Sequence, residues 1–479
     1  MGFGVAVGQV DRGIFARFQA SIDPGWVLEA LTATGTATLR RRRFPAEQVI
    51  WLVLGMALFR DLPIVEVVKE LALVLPGSGA GRIAASAVMQ ARARLGESPL
   101  RWLFEKCAEA WARASADRHR WRGLALFGVD GSTVRVPDSG ENRATFGAGK
   151  GRTVGGYPMV RIVTLMALRS HLLLAARFGP YRVSERKHAR DLWPSVPDDS
   201  LVIVDRGFLY ARDLWPLQSK GNNRHWLSRA RKNSKWRVVK RLGRGDAMVE
   251  IIVNRLARQK EPSLPEHWAM RAIRYHRRGF REQTLLTSLV DPVKYPAAEI
   301  VALYHERWEL ELGFDEVKTE MLEREEAIRS KSPAGVAQEL WGLALAYNLV
   351  RLEMARAAEL AGVPPTRMSF ARCLGAIRIH LLRFAAISPG KLGRAVEALH
   401  RELAESYVLP PRRTERLYPR AVKIKMSSYP RKRPKVRRNR AKRVALGLGG
   451  LERGRPPGAR GRQPREARRP GPAGLRAPP

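Results

Sequence analysis

LALFGVDGSTVRV, residues 124–136, is apolar and β-branched as far as Val129 and then meets an aspartate, a glycine and a serine. Such a run, bounded by turn-forming residues, reads as a strand buried on both faces. Asp130 then stands at the strand end, because an ionised carboxylate inside a buried strand is costly. Outward from this stretch come two more strand-like runs, VGGYPMVRIVTLMAL at 154–168 and HLLLAARF at 171–178. A fourth, LVIV at 201–204, leads directly into Asp205. The set predicts an α/β fold whose central strands are covered on both sides. Asp130 and Asp205 would face the crevice where open α/β sheets keep their chemistry. Taken singly, each reads more readily as a turn-starting aspartate.

A third carboxylate changes that balance. In YHERWELELGFDEVKTE, residues 304–320, Tyr304, Arg307, Glu311 and Lys318 are three, four and seven positions apart. At about 100° per residue all four return to one face of a helix, with Leu303, Leu310 and Phe314 left to pack inward. A salt-bridged solvated face would have the same spacing. A glutamate presented from a helix above two strand-end aspartates makes an all-oxygen site, the donor set that Mg²⁺ prefers over softer ions.

With these residues in view, the chain resembles the IS4 family of bacterial insertion-sequence transposases, DDE enzymes with an RNase H-like core. The similarity runs from about residue 40 to 443. The family signature Y-x2-R-x3-E-x6-K falls on Tyr304, Arg307, Glu311 and Lys318, and the D-x-G-F of the second acid on Asp205, Gly207 and Phe208. The resemblance implies a catalytic and metal-binding triad of Asp130, Asp205 and Glu311, with two Mg²⁺ for which Mn²⁺ substitutes. It also implies cleavage of element ends and their joining to target DNA. Tyr304, Arg307 and Lys318 would contact DNA phosphate. The partners implied are double-stranded DNA with terminal inverted repeats, target DNA, and a second copy of the chain in a synaptic homodimer. Two other readings fit the same acids: an RNase H-like nuclease without strand transfer, and an inactive transposase-derived DNA-binding protein.

The organisation expected is a helical DNA-binding region over 1–120, the first part of an RNase H-like core with a mixed sheet over 121–233, and a β-rich insertion over 234–290, outside that sheet. The second part of the core with C-terminal helices follows over 291–408, then a basic flexible tail over 409–479. From Pro45 to Leu75 apolar residues recur at helical spacing, with a break at Pro63. A helix over 83–95 aligns Arg82, Ser86, Gln90 and Arg94 along one face. That face suits DNA, and equally suits water.

Composition supports a polyanionic partner. Lys and Arg number 86 against 45 Asp and Glu, a formal charge of +41. Residues 411–443 hold 15 Lys or Arg and one acidic residue, too little apolar surface to order themselves without an anion. The two cysteines, Cys107 and Cys373, exclude a disulfide scaffold and a cysteine-based zinc finger. The N-terminus lacks a signal-peptide pattern and the longest apolar run, Trp51–Phe59, is too short for a membrane span. A cytoplasmic, nucleoid-associated protein with no membrane partner is expected.

Overall fold

Nine strands join in one mixed sheet in a computed structural model that describes residues 22–37, 44–70, 84–148, 156–277, 281–323, 327–384 and 387–411. They are β1 Ala125–Arg135, β2 Met159–Ala167, β3 Leu173–Pro180, β4 Ser200–Val204, β5 Arg224–Arg229, β6 Arg237–Gly243, β7 Asp246–Ile252, β8 His267–Tyr275 and β9 Gln283–Thr287. Their order across the sheet is β3-β2-β1-β4-β5-β9-β8-β7-β6. β1, β4 and β5 run parallel, while β2 and β3 are antiparallel. The first five strands therefore have the RNase H-like arrangement.

Side chains of a strand alternate between faces, and two separate cores result from that period. Phe127 and Val129 of β1, Val202 and Val204 of β4 and Trp226 of β5 enter one core with Leu214 and Leu217 of helix Ala211–Ser219. Leu126, Leu201, Ile203 and Leu227 enter the other, with helices Ala46–Leu58, Ser98–Ala108 and Pro333–Leu360. The near-continuous apolar runs of the sequence are thus strands covered on both faces. The N-terminal helices lie against helix Pro333–Leu360, where Gly342 admits Val53 more closely than any side chain would allow. Arg92, almost fully buried, fastens helix Ala85–Leu95 there by donating to Gln338 at 2.9 Å and Ser330 at 3.0 Å. Both cysteines are free and buried.

Two expectations need correction. Asp130 is not at the end of its strand: β1 continues five residues further, to Arg135, because β2 pairs with it along that whole length. What ends beside Asp130 is the parallel neighbour β4, whose Val204 pairs with Val129. The insertion, although β-rich, is not outside the sheet. β9 pairs with β5 through Leu227↔Thr287 and Arg229↔Leu285, so β6 to β9 extend the core sheet at its edge. An unpaired β5 edge would leave a row of backbone donors and acceptors, and the insertion covers it. Arg82 and residues 412–479 of the tail lie outside the described residues.

A buried ion pair ties the insertion to the chain entering the next core helix. Arg271 of β8, fully buried, donates to Asp246 at 2.8 and 2.5 Å and to the Tyr295 carbonyl at 2.6 Å. Replacing Arg271 by Met strands the Asp246 carboxylate, a loss of about 3–5 kcal/mol, whereas an apolar pair is tolerated. Urea unfolding should show a large loss in Arg271→Met and recovery of most of it in Arg271→Met/Asp246→Leu. Equal losses in both would show that the charge pair is not the source of the stability.

Candidate active site

Asp205 directly follows Val204, and Val204 pairs with Val129, so Asp130 and Asp205 occupy neighbouring positions on adjacent strands. Asp130 lies on the face of β1 that also carries Gly128. A Cβ at Gly128 would meet Leu310 of helix Trp308–Asp315 at 2.8 Å, so that helix crosses β1 one pleat before Asp130. Gly131 points to the other face, against Glu185. Burial pushes the Asp130 carboxyl up to about 6, and the negative charges of Glu185 and Asp205 push it the same way. The Gly131 N–H, donating at 2.8 Å, and Arg307 oppose that rise without cancelling it.

Glu311 joins this pair indirectly. Its carboxylate accepts a hydrogen bond from Arg307 at 2.7 Å, and the same guanidinium lies in the field of both Asp130 and Asp205. One fixed cation therefore sits among three carboxylates. Among the described residues no three carboxylate, histidine or cysteine groups gather tightly enough to hold an ion. Glu311 is turned toward Arg307.

Beside Asp205 opens a cleft of about 220 Å³. Arg229, Arg277, Arg281 and Arg307 line it together with Tyr275, Tyr304 and Trp308. Tyr304 is buried, and burial raises its phenol above the ordinary range, so it meets the cleft as a neutral hydroxyl. Trp308 is 57% exposed, an unusual position for so large an apolar ring. Sequence reading named Tyr304 and Arg307 but missed Arg229, Tyr275 and Trp308. The first two come from strands that only the sheet order brings here, whereas Trp308, adjoining Arg307, was within reach of a motif reading.

Lys318 does not share that cleft. It lines a smaller cavity with Ser132, two positions beyond Asp130 on the same face of β1. The single-face expectation assumed one unbroken α-helix. The segment is instead tightened into a 3₁₀ turn at His305–Arg307 and widened into a π turn over Glu316–Met321, each of which rotates the residues beyond it. Gln90 and Arg94 are exposed on helix Ala85–Leu95 and line neither cavity.

An RNase H-like sheet carrying two in-register aspartates beneath a glutamate-bearing helix is the framework of the DDE transposases, metal-dependent enzymes that cut and move DNA. The transposase DDE domain family matches residues 118–349, and the insertion element 4 transposase N-terminal family matches residues 12–105. The chain belongs to the IS4 family of these transposases. It is 39% identical over 418 residues to the transposase InsG for insertion sequence element IS4 of Escherichia coli K12, covering 85% of this chain and 92% of that one. It is also 40% identical over 220 residues to the putative transposase InsZ of the same strain, covering 45% of this chain and 72% of InsZ. Among solved structures, the piggyBac transposase synaptic complex with hairpin DNA gives a TM-score of 0.41 at 10% identity, covering 84% of this chain and 86% of that one.

The rear of the glutamate-bearing segment is held by a buried charge cluster that sequence reading also missed. Arg351 of helix Pro333–Leu360 donates to Glu316 at 2.5 Å and to His171; Tyr347 donates to Glu316 at 2.8 Å; His171 Nε2 lies 2.9 Å from Glu309. Glu309 and Glu316 are seven residues apart, and that recurrence was the available signal. His171 takes a φ of 61°, a left-handed conformation that its contacts in the β2–β3 turn must hold in place.

Burial alone would raise the Glu316 carboxyl, but Arg351 and His171 outweigh it and hold it down to about 2. A carboxyl depressed in the folded state adds stability that is present above its unfolded pKa of about 4.3 and is lost as pH falls toward about 2, on the order of 3 kcal/mol in all. Glu316→Gln should lower stability at pH 7 and flatten the loss between pH 4.5 and 2. Urea unfolding across that range tests this, and parallel wild-type and variant profiles would contradict it.

Proposed function

We propose that this transposase cuts the ends of its insertion sequence and joins them to target DNA, with Asp130, Asp205 and Glu311 as the acids that hold two Mg²⁺ ions, Mn²⁺ substituting. The observation that carries this reading is the Val129↔Val204 pairing, which sets two aspartates side by side with Glu311 held above them by Arg307. The donors fit a hard divalent cation: all are carboxylate oxygens, and the Asp130 carboxyl, raised first by burial and further by the charges of Glu185 and Asp205, would gain a counterion there. Bound there, such ions supply an activated oxygen nucleophile and stabilise the departing oxygen.

The chain's own residues do the positioning. Arg307 offers a planar fork and Lys318 a point charge to phosphate oxygens, and neither suits the holding of metal. Arg307 stands in the cleft beside Asp205 and Lys318 beside Ser132 of β1, so the two would meet the strand at separate points. The cleft arginines gather a strand beside Asp205, and the neutral Tyr304 hydroxyl donates to it. Were Glu311 to hold metal, its bond to Arg307 would be given up and the guanidinium would be free for phosphate, so one cation would serve in both states.

The finer assignments belong to this reading. The helical region over 1–120, with Arg82, Gln90 and Arg94, reads the terminal inverted repeats. The region over 121–233 and 291–408 forms the catalytic core, interrupted by the insertion over 234–290, and the basic tail over 409–479 adds sequence-independent affinity. Two copies of the chain bring two ends together on the nucleoid in the cytoplasm. No helix among the described residues is long and apolar enough to cross a membrane.

Asp130→Asn, Asp205→Asn and Glu311→Gln should each lower cleavage of an inverted-repeat duplex in Mg²⁺ by roughly a hundredfold or more, with end binding near wild type. Cleavage that persists in one of these folded variants removes that residue from the triad. In the free protein Asp130 holds a proton below about pH 6, so metal binding should weaken as pH falls through that value. Thermal stabilisation by Mn²⁺ reads this directly, and stabilisation of equal size at pH 5 and pH 7.5 would contradict it. Arg307→Ala should keep the Mn²⁺ response yet cut slowly, because the clamp on the strand is lost.

A further inference from the structure

A second basic depression meets the Asp205 loop. Between the insertion and helix Ala211–Ser219 runs an open groove of about 770 Å³. Arg186, Arg212, Arg231, Lys232, Lys235 and Lys260 line it, and none of its described lining residues is acidic.

Its floor is rigid. The guanidinium carbon of Arg186 lies 3.4 Å and that of Arg231 3.6 Å from the centroid of the Tyr210 ring. Two groups at stacking distance cannot share one face of a ring, so they cover opposite faces. No face of Tyr210 is left for a base to stack on, and the ring acts as a spacer between two cations. Arg186 also pairs with the fully buried Asp213, which accepts from Arg190 at 2.8 Å. Arg231 donates to the carbonyls of Arg206 at 2.8 Å and Gly207 at 3.0 Å. Those are the two residues after Asp205, so the groove is attached to the backbone that carries the second acid.

We propose that this groove seats the sugar–phosphate backbone of the target duplex, the DNA into which a cut end is joined. The inference rests on the transposase reading and adds a site to it. Six cations, with Arg186 tied to Asp213 behind it and no carboxylate among the described lining residues, match a polyanion. Beyond the cations, the polar side chains of the lining that could read base edges are Asn233, Ser234 and Asn254, of which Ser234 accepts from the Arg231 N–H at 3.2 Å and Asn254 caps the Leu256 N–H at 2.7 Å. Sequence is read by such groups and only position by phosphate contacts, so a lining of this kind suits a duplex of any sequence. The groove is tied through Arg231 to the two residues after Asp205, whereas the cleft is lined by Asp205 itself with Tyr304 and Arg307, so two DNA segments would have separate places on either side of that loop.

The test uses the full chain with Lys232, Lys235 and Lys260, all exposed, changed together to Glu, and a second variant with all three changed to Arg. On a random-sequence duplex, the slope of log affinity against log salt should become shallower by about 2–3 in the Glu variant and stay near wild type in the Arg variant. Joining of pre-cut ends to a random-sequence plasmid should fall about tenfold or more in the Glu variant. Cleavage of an inverted-repeat duplex by the same protein should remain within about twofold of wild type. An unchanged slope with unchanged joining overturns the proposal, as does cleavage that falls in step with joining, because the groove would then hold the element end. Binding of polyglutamate by the wild type in preference to random-sequence duplex also overturns it, in favour of an acidic protein partner. Wild-type protein that never cuts would sink the transposase reading, while the salt slope would still report whether duplex DNA occupies the groove.

Discussion

Two aspartates at neighbouring register positions of parallel strands repel each other, and Asp130 is half-buried. The surrounding structure answers that repulsion. β1 and β4 are locked by cores on both faces, so the carboxylates cannot drift apart. Burial and like charge leave Asp130 with a carboxyl pushed up to about 6. Positive charge must come to the pair, and in the free protein the nearby cation is Arg307, which also holds Glu311. In the proposed reading, divalent cations at these carboxylates would supply the positive charge that the pair lacks.

Positioning of the third acid depends on the residues behind it. The segment bearing Glu311 is pinned at its rear by Glu309 and Glu316, which meet His171 of the β2–β3 turn and Arg351 of helix Pro333–Leu360. Breaking a buried charge cluster costs several kcal/mol, far more than turning one exposed carboxylate. The helix body is therefore held independently of the Arg307–Glu311 bond. Arg271 does the same for the chain entering this segment, through the Tyr295 carbonyl. Rigid elements thus carry the three carboxylates.

The central sheet was legible because strands buried on both faces are written as continuous apolar runs, as in LVIV before Asp205. Its extent was not: after Val129, residues Gly131 to Thr133 are only half-buried and have the composition of a turn, yet β2 holds them as strand. Nothing local specifies that β9 pairs with β5, since that register joins residues some sixty positions apart. The acids could be found from the strand runs and the Tyr304–Lys318 spacing. The 3₁₀ and π turns that move Lys318 away from Arg307 leave no trace in a spacing argument. His171 and Arg351 were invisible for the reason that buried ion pairs usually are: each partner alone has the look of a surface residue.

The most direct test of the central claim is anomalous X-ray scattering from crystals of the protein with Mn²⁺ and an inverted-repeat duplex. Two manganese peaks bounded by Asp130, Asp205 and Glu311 are expected, with the Glu311 carboxylate no longer paired to Arg307 and the Arg307 guanidinium on phosphate. Manganese absent from these carboxylates, with Glu311 still bonded to Arg307 in a complex that holds the DNA end, would contradict it.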